Sequence, residues 1–544
     1  KFFLSVDDRH PFHAVHLVDQ NYAECRKFIY VGNNEGALSY KQEDSEIIDL
    51  QNKFVTAGFN DSHMHVVEFG DYLEIMHMGD FTGSLKELKD GIRKFISEKY
   101  FKENEWARGR GWNNDYFTDE NRFPNRYDLD EVSTTCPICI IRACGHICVV
   151  NSKGLELLGI TKDSPQVEGG VFDVDENGEP LGIFRENALE LVYSKALTPD
   201  KESFKKMIHE ACRALNSYGV TSAQTDDFVA FPQVDYEVLI AAYQELEKEG
   251  KLTVKINQQA QLVNIEDLKE FIGKGYKTGV GSDYFKIGPL KLIGDGSLGA
   301  RTAYMTQPYN DDDSTCGIPI YTQEQLDEMV EYAHKNGMHV VIHCIGDKIM
   351  YMVVEAMEKA LKKYPKEDHR HGIVHCQITT KELLDKFKEL KLHAYIQSIF
   401  LDYDINIVED RIGKERAKYT YNFKTLMDSG VITSNGSDCP VELPNVMNGV
   451  QCAVTRKTLD GKGPFLSEQA LSVEEAIKSY TIMGAYGSFE EKTKGSIEVG
   501  KVCDFVVLGQ NPFEVEKDKL KDIEILATYL DGKCVFDIFN IEIN

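Results

Sequence analysis

Through the middle of this chain, short strand-like segments rich in apolar residues alternate with helix-like segments. Candidate strands lie at residues 54–59, 220–224, 286–293, 338–342, 372–374, 393–397 and 431–434. Helical patterns lie between them, for example at 323–336 and 347–363. Strands separated by helices usually pair in parallel, since each helix returns the chain to the starting edge of the sheet. The alternation therefore predicts an α/β fold with a parallel sheet or barrel.

Both ends of the chain carry a different pattern, in which short strands are separated by turns. Examples are residues 46–50 near one end, and 504–508 and 525–530 near the other. We predict that residues 1–56 and 486–544 fold together as the two parts of one small β-sandwich, with the barrel at 57–485. Residues from about 70 to 190 are rich in Gly, Asn and Asp turns and fit the alternation poorly, so we interpret them as a segment inserted in the barrel.

The charge of the chain limits its partners. Its 88 acidic and 61 basic residues give a formal net charge of −27, which disfavours binding to nucleic acid or to anionic lipid. No apolar run reaches membrane-spanning length. The 13 cysteines are scattered through apolar runs, which is typical of a reduced, cytoplasmic compartment. These features favour a cytoplasmic protein that acts on a small molecule, and they leave a homodimer open.

Residues that commonly bind metal ions lie at the ends of the candidate strands. His63 and His65 have the spacing that puts two side chains on one face of a strand. His343, His375 and Asp438 each follow a further candidate strand. Barrel active sites are assembled at the C-terminal ends of the strands, and imidazoles with a carboxylate suit Zn²⁺ or a similar divalent ion. The set therefore predicts a metal centre, whereas any one histidine alone would be weak evidence.

The motifs around these residues resemble those of the amidohydrolase superfamily. Val-Thr-Ala-Gly-Phe-Asn-Asp-Ser-His-Met-His at 55–65 is similar to its opening motif, with Ala57 in place of the usual proline. Asp-Gly-Ser-Leu-Gly-Ala-Arg-Thr-Ala at 295–303 resembles a hallmark of amidohydrolase family 3, which includes N-substituted formamide deformylases and exoenzyme-regulatory proteins. Further matches lie at 111–112, 145–146, 182–186, 342–347, 374–377, 436–440 and 495–501. The resemblance covers nearly the whole chain.

This resemblance implies a metal-dependent hydrolase with a (β/α)₈ TIM barrel, acting on carbon–nitrogen bonds other than peptide bonds. It implies that His63, His65, His343 and His375 bind one or two divalent ions, with zinc expected. It also implies that Asp438 is the general base, which activates a metal-bound water for attack on an amide or formamide.

The resemblance leaves the bridging metal ligand and the pocket residues open. Glu186 offers a ready carboxylate, and Lys291 could bridge two ions if it were carboxylated; we favour Glu186 because it needs no modification. His146, Trp112, Asp295 and Arg301 are candidate substrate-binding residues. Trp112 could instead belong to the core, and Arg301 could pair with a structural carboxylate.

Two other interpretations compete with a hydrolase. An amidohydrolase-like barrel could have become a catalytically silent binding or regulatory protein, although such a protein has no physical need to keep all five site groups. Cys136 and Cys139 could form a structural zinc site or a redox pair. Residues 137–141, however, have the pattern of a buried strand, in which free cysteines behave as small apolar residues.

Overall fold

A computed structural model describes residues 2–4, 16–17, 26–43, 45–99, 101–120, 122–196 and 198–538. Much of the predicted first part of the β-sandwich therefore lies outside the described residues. The strands are β1 (Phe2–Leu4), β2 (His16–Leu17), β3 (Ile47–Asp49), β4 (Phe54–Ala57), β5 (Phe59–Met64), β6 (Met76–His77), β7 (Ala107–Trp112), β8 (Ile138–Arg142), β9 (Ile147–Val150), β10 (Gly170–Val174), β11 (Pro180–Glu186), β12 (Val220–Thr225), β13 (Lys255–Gln261), β14 (Phe285–Ile293), β15 (Val340–Cys344), β16 (Gly372–His375), β17 (His393–Ile396), β18 (Thr433–Asn435), β19 (Phe505–Leu508), β20 (Ile525–Leu530) and β21 (Lys533–Asp537).

Helices occupy most of the intervening segments. They are α1 (Asn34–Leu38), α2 (Val66–Glu74), α3 (Leu85–Glu98), α4 (Arg126–Asp130), α5 (Ser152–Leu158), α6 (Leu189–Ala196), α7 (Lys201–Ser217), α8 (Tyr236–Lys248), α9 (Ile265–Gly273), α10 (Gln323–Lys335), α11 (Asp347–Lys363), α12 (Lys381–Leu390), α13 (Leu401–Asp404), α14 (Val408–Ala417), α15 (Phe423–Asp428), α16 (Val446–Thr455), α17 (Val473–Ser479) and α18 (Ile482–Gly487). Short 3₁₀ turns lie at Met78–Phe81, Asn114–Tyr116, Ser398–Phe400, Ser467–Gln469 and Lys517–Asp522.

Eight parallel strands form the predicted barrel, in the order β5-β12-β13-β14-β15-β16-β17-β18. Their consecutive order, with helices between them, is that of a (β/α)₈ barrel. Six of the eight lie where the alternation predicted a strand, and a seventh, β5, shares only Phe59 with the candidate at 54–59. The exception is β13, whose sequence Lys-Ile-Asn-Gln-Gln-Ala-Gln is polar although its first six residues are buried, so an apolar pattern could not reveal it.

The first candidate strand, at residues 54–59, divides between two sheets. Phe54–Ala57 is β4, which pairs with β19, whereas Phe59–Met64 is β5, the first barrel strand. β5 therefore continues five residues beyond the predicted end, and His63 lies inside the strand rather than after it.

The two ends of the chain fold together, as predicted. β4 joins β19, β20 and β21 in a four-stranded antiparallel sheet, and β1, β2 and β3 form a separate three-stranded sheet. Ile48 of β3, Val55 of β4, Phe505 and Val507 of β19 and Tyr529 of β20 share one buried apolar core. Burial of these side chains against one another is the main force that holds the N- and C-terminal segments together.

The chain divides into two compact units. The first comprises Lys1–Phe69, Ile208–Ala230 and Leu239–Asn544, and the second comprises Gly70–Met207 and Phe231–Val238. The second unit, which contains the segment we interpreted as an insertion, holds a six-stranded sheet in the order β10-β11-β9-β8-β7-β6. Within the described part of the chain, no helix combines the length and apolar character needed to cross a bilayer.

A buried ion cluster connects barrel strand β13 with the C-terminal sheet. The Lys255 Nζ lies 2.7 Å from Asp504 Oδ2 and 2.7 Å from Asp531 Oδ1, and all three side chains are at most 5% exposed. Tyr284 also donates to Asp531, at 2.6 Å. Although burial opposes its charge, the two carboxylates raise the pKa of Lys255. The Lys255 ammonium is therefore charged and paired with both carboxyl groups.

Replacing Lys255 with Met should lower the free energy of unfolding by about 3 kcal/mol, because two buried carboxylates lose their shared cation. Urea unfolding at neutral pH measures this loss. The matched control is Lys86→Met, which removes an exposed lysine paired with Asp90 and should leave the free energy of unfolding almost unchanged, because water and salt screen an exposed ion pair. Equal losses in the two variants would show that the buried cluster contributes no more than a surface pair.

Three buried histidines lie at the N-terminal ends of adjacent barrel strands, where His339 precedes β15, His371 precedes β16 and His393 begins β17. Each has a neutral partner: His339 Nδ1 contacts Thr278 Oγ1 at 3.1 Å, His393 Nε2 contacts Ser434 Oγ at 2.7 Å, and His371 Nδ1 accepts the Val340 N–H. Burial lowers the pKa of His339 and His393 to about 3, and that of His371 well below its ordinary value. All three are therefore neutral in the folded protein.

These histidines should make the fold sensitive to acid. An unfolded histidine takes up a proton below about pH 6.5, while the folded one resists it down to about pH 3, so the free energy of unfolding falls with pH across this interval. For one such group the loss at pH 5 is about 2 kcal/mol. The variant His393→Phe should reduce the loss of stability between pH 7.5 and pH 5 by about this amount, measured by urea unfolding. The control is His209→Gln, which replaces a partly exposed histidine and should leave the loss of stability between pH 7.5 and pH 5 unchanged. If His393→Phe had the same pH dependence as the unaltered protein, His393 would not be the neutral buried group inferred here.

Candidate active site

Backbone hydrogen bonds between the first and last barrel strands bring the two ends of the predicted site together. The Asp438 N–H donates to His63 O at 2.8 Å, and the His65 N–H donates to Cys439 O at 2.8 Å. Gly436 permits this approach, because a Cβ there would lie 2.6 Å from the His63 nitrogen. As a result, Asp438 Oδ1 lies 3.2 Å from His63 Nε2 and 3.1 Å from His65 Nε2.

Asp61 fixes this junction from within the barrel. Its carboxylate accepts the Ser437 hydroxyl at 2.5 Å and the Ser437 and His63 N–H groups at 3.1 and 3.2 Å. Burial raises the pKa of Asp61 to about 7 although these bonds oppose the shift. Asp61 therefore holds β5 against the segment that carries Asp438.

Asp226, which directly follows barrel strand β12, connects His65 with Lys291. Its Oδ1 lies 2.9 Å from His65 Nδ1 and its Oδ2 lies 2.6 Å from Lys291 Nζ. Asp226 and Lys291 are both fully buried. Burial opposes ionisation of Asp226, but the Lys291 ammonium and His65 hold the pKa of this carboxyl well below its usual range. A buried negative charge is thus paired on both sides and orients the His65 ring.

The remaining two histidines of the predicted set lie beside His63. The ring of His375 is 5.5 Å from that of His63 and 4.3 Å from that of His343, measured between ring centres. The His375 Nδ1 contacts Gln397 Oε1 at 2.7 Å, and His343 Nε2 lies 3.0 Å from Gly296 O. Because Gln397 Oε1 can accept a hydrogen bond from the Nδ1–H, Nε2 of His375 is left as the nitrogen with a free lone pair.

The four imidazoles differ in their affinity for protons. Burial lowers the pKa of His63, lowers that of His375 well below its ordinary value and lowers that of His343 to about 4. For His65 burial acts in the same direction, but Asp226 and Asp438 outweigh it and raise its pKa. Burial also opposes the charge on Asp438, while His63 and His65 hold its pKa well below the usual range. Three neutral rings and one ionised carboxylate therefore face one another.

The backbone is strained at both sides of the site. His375 has φ +77° and Asp438 has φ +59°, in the left-handed region that residues other than glycine rarely adopt. Such conformations cost about 1–3 kcal/mol each and cluster at functional sites. The surrounding structure therefore holds His375 and Asp438 in an unfavourable backbone conformation that directs their side chains into the site.

The donor set fits a divalent metal ion. One ligand atom from each of His63, His65 and Asp438 lies within 4.8 Å of the others, and these three are the one such group found among the described residues. His63 is buried, and its Nδ1 has no hydrogen-bond partner among the described residues. Neutral imidazoles and a carboxylate are the ligands that zinc most often takes, so the residues present could hold such an ion.

Two further predicted residues have structural partners. Asp295 is buried and accepts the N–H groups of Ile345, Gly346 and Tyr304 at 2.8–3.0 Å, while its Oδ1 lies 3.5 Å from His343 Nε2. Burial raises its pKa to about 7. Arg301 forms a two-point pair with Asp311, at 3.1 and 2.8 Å. Asp295 thus contacts the histidine set, whereas Arg301 already has a carboxylate partner.

The remaining predicted residues, the pocket residues Trp112 and His146 and the metal-ligand candidate Glu186, belong to the second compact unit. Trp112 is fully buried in an apolar core of that unit and packs against Phe123. His146 and Glu186 are exposed and contact each other, with Nδ1 and Oε2 3.0 Å apart. Cys136 and Cys139 are free thiols, and Cys139 lies in β8.

Sequence reasoning missed Asp226 and Gln397. Asp226 follows a strand that the alternation did predict, at 220–224, so the rule that active-site residues follow barrel strands could have identified it. Gln397 was included in a predicted strand, but no local signal shows that its side chain contacts His375. That contact joins residues 22 positions apart on neighbouring strands.

Comparison with known proteins gives consistent matches over almost the whole chain. Residues 46–536 match the model of the Amidohydrolase family. The Bacillus subtilis protein YtcJ, named as an amidohydrolase, is 31% identical over 92% of each chain. The N-substituted formamide deformylase of Arthrobacter pascens is 24% identical, again over 92% of each chain. Among solved structures, an uncharacterized metal-dependent hydrolase from Pyrococcus furiosus is 27% identical, covers 94% of this chain and 98% of its own, and superposes with a TM-score of 0.74.

Proposed function

Since this chain belongs to the amidohydrolase family, we propose that it hydrolyses a carbon–nitrogen bond, an amide or formamide, in a small molecule. One observation carries the proposal: His63, His65 and Asp438 converge within 4.8 Å, with the rings of His375 and His343 alongside. Five groups from four strands meet at the end of the barrel where active sites are assembled. The deformylase relative, by its name, acts on N-substituted formamides.

We propose that His63, His65, His343 and His375 hold the metal. A divalent cation bound there, with zinc best suited to these donors, lowers the pKa of water and polarises a carbonyl. Carboxylation of Lys291, on barrel strand β14, would supply a carboxylate for a second ion.

Asp438 is the proposed general base. Its pKa is held low by His63 and His65 against the effect of burial, so it is ionised and able to accept a proton at neutral pH. It takes the proton of the attacking water and delivers it to the leaving nitrogen, which could not otherwise depart as a neutral amine. Asp226 and Gln397 are positioning residues that fix the rings of His65 and His375.

Metal analysis together with a substrate screen tests this proposal. We expect one or two equivalents of zinc per chain, by mass spectrometry, in protein purified without added metal. Chelation should abolish hydrolysis of an N-formyl or N-acyl amine, and added zinc should restore it. A chain that holds no metal and takes none up on reconstitution would instead be a catalytically silent binding or regulatory protein.

A further inference from the structure

We propose that Phe400 is a specificity-determining residue, and that the preferred substrate places a neutral aromatic group against it. This inference rests on the proposed function and extends it, because it names the chemical class of the group beside the scissile bond. It is carried by the position of the Phe400 ring, by the hydrogen bonds of the turn that holds it and by the exposed apolar side chains on the segments that follow β17 and β18.

Phe400 lies between the two halves of the histidine and carboxylate set. Barrel strand β17 pairs with β16 on one side and with β18 on the other. His375 ends β16, Asp438 follows β18, and Phe400 follows β17 in the turn Ser398–Phe400. The rings of Phe400 and His375 are stacked, with centres 5.8 Å apart and planes at 14°. A group attached to a substrate carbonyl at this site would therefore meet the phenyl ring.

The turn that carries Phe400 is held rigidly. The Ser398 N–H donates to Asn435 Oδ1 at 3.0 Å, and Asn435 Nδ2 donates to Ser398 Oγ at 2.7 Å. The Phe400 N–H donates to Gln397 O at 3.3 Å, and the Gln397 side chain contacts His375. One short segment thus fixes both the His375 ring and the Phe400 ring, so binding against Phe400 requires little ordering of the protein.

Exposed apolar side chains lie on the segments that follow barrel strands β17 and β18. Phe400 is partly exposed, Tyr403 is 62% exposed, and Val441 and Leu443 are 66% and 49% exposed. The Val441 N–H donates to Asp438 O at 2.9 Å, which places this loop directly after the proposed base. Clusters of exposed apolar side chains often mark ligand-binding grooves.

Acidic residues alternate with these exposed apolar side chains along the chain: Glu442 lies between Val441 and Leu443, and Asp402 and Asp404 flank Tyr403. Burial raises the pKa of Glu442, and Asp402 and Asp404 raise it further. A substrate carboxylate here would face like charges. A neutral ring can instead stack on Phe400 at no electrostatic cost, so the geometry favours an uncharged aromatic substituent.

Two hydroxamates that differ only in this substituent test the inference. Both chelate metal ions through the same group, but benzohydroxamic acid carries a phenyl ring where acetohydroxamic acid carries a methyl group. Titration calorimetry on the zinc-loaded protein should show that the benzo compound binds about tenfold more tightly, because only its ring can stack on Phe400. In Phe400→Ala the ratio of the two affinities, benzohydroxamic acid to acetohydroxamic acid, should fall to about one or two. In Phe400→Leu this ratio should lie between that of the unaltered protein and that of Phe400→Ala.

Controls separate specificity from loss of structure. Zinc content and thermal unfolding should be unchanged in Phe400→Leu, and the ratio should be unchanged in Phe513→Ala, which removes a partly exposed ring from the terminal segment. If the unaltered protein bound the two hydroxamates equally tightly, or if the tenfold ratio persisted in Phe400→Ala, the inference about Phe400 would be wrong while the proposed function would stand. Failure of both hydroxamates to bind would overturn the proposed function and the inference with it.

Discussion

Replacing Asp438 with Asn should lower kcat by at least about a thousandfold while the metal content stays the same. The amide keeps the size of the side chain but cannot accept the proton of water or pass it to the leaving nitrogen, and general acid–base catalysis commonly contributes this much. Four imidazoles remain to hold the ion. Steady-state kinetics on the best N-formyl or N-acyl substrate, with metal analysis of the same sample, measures both quantities.

The matched control is Asp460→Asn, the same substitution at an exposed position, which should leave kcat within about twofold. Full activity in Asp438→Asn would exclude Asp438 as the base. Loss of both metal and activity would show that Asp438 acts chiefly as a metal ligand, which its position 3.1–3.2 Å from two Nε2 atoms would then explain.

The double variant His63→Ala, His65→Ala should bind zinc at least about a thousandfold more weakly, because two of four ligands are removed and loss of a single supporting contact already costs ten- to a hundredfold. Purified protein should contain less than about one tenth of an equivalent, and hydrolysis should be undetectable. A second readout is thermal: a ligand that binds only the folded state stabilises it, so a chelator should lower the Tm of the unaltered protein but not that of the variant.

His209→Ala is the control, since it removes a partly exposed histidine on helix α7; its zinc content and its response to the chelator should match those of the unaltered protein. If the double variant retained a full equivalent of zinc, the ion would be bound elsewhere, and the proposed site would be wrong.

The barrel and the order of its strands could largely be predicted from the sequence. Apolar strands buried between helices leave a local pattern, and α11, Asp347–Lys363, was placed to the residue. β13 was not predicted because its side chains are polar yet buried, and no periodic pattern separates such a strand from a loop. The end of β5 was predicted wrongly for the same reason, since Asn60, Asp61, Ser62 and His63 are buried polar residues.

The sequence by itself determined which residue types end the strands: His63, His65, His343, His375 and Asp438 each follow or close a segment recognisable from its neighbours. Only the tertiary structure decided their partners. His65 and Asp438 are 373 positions apart and meet because β5 and the segment after β18 close the barrel. Asp226 reaches His65 and Lys291, and Phe400 stacks on His375, for a similar reason. Strand formation depends on local periodicity, whereas these contacts depend on the register and closure of the whole barrel, which no short segment encodes.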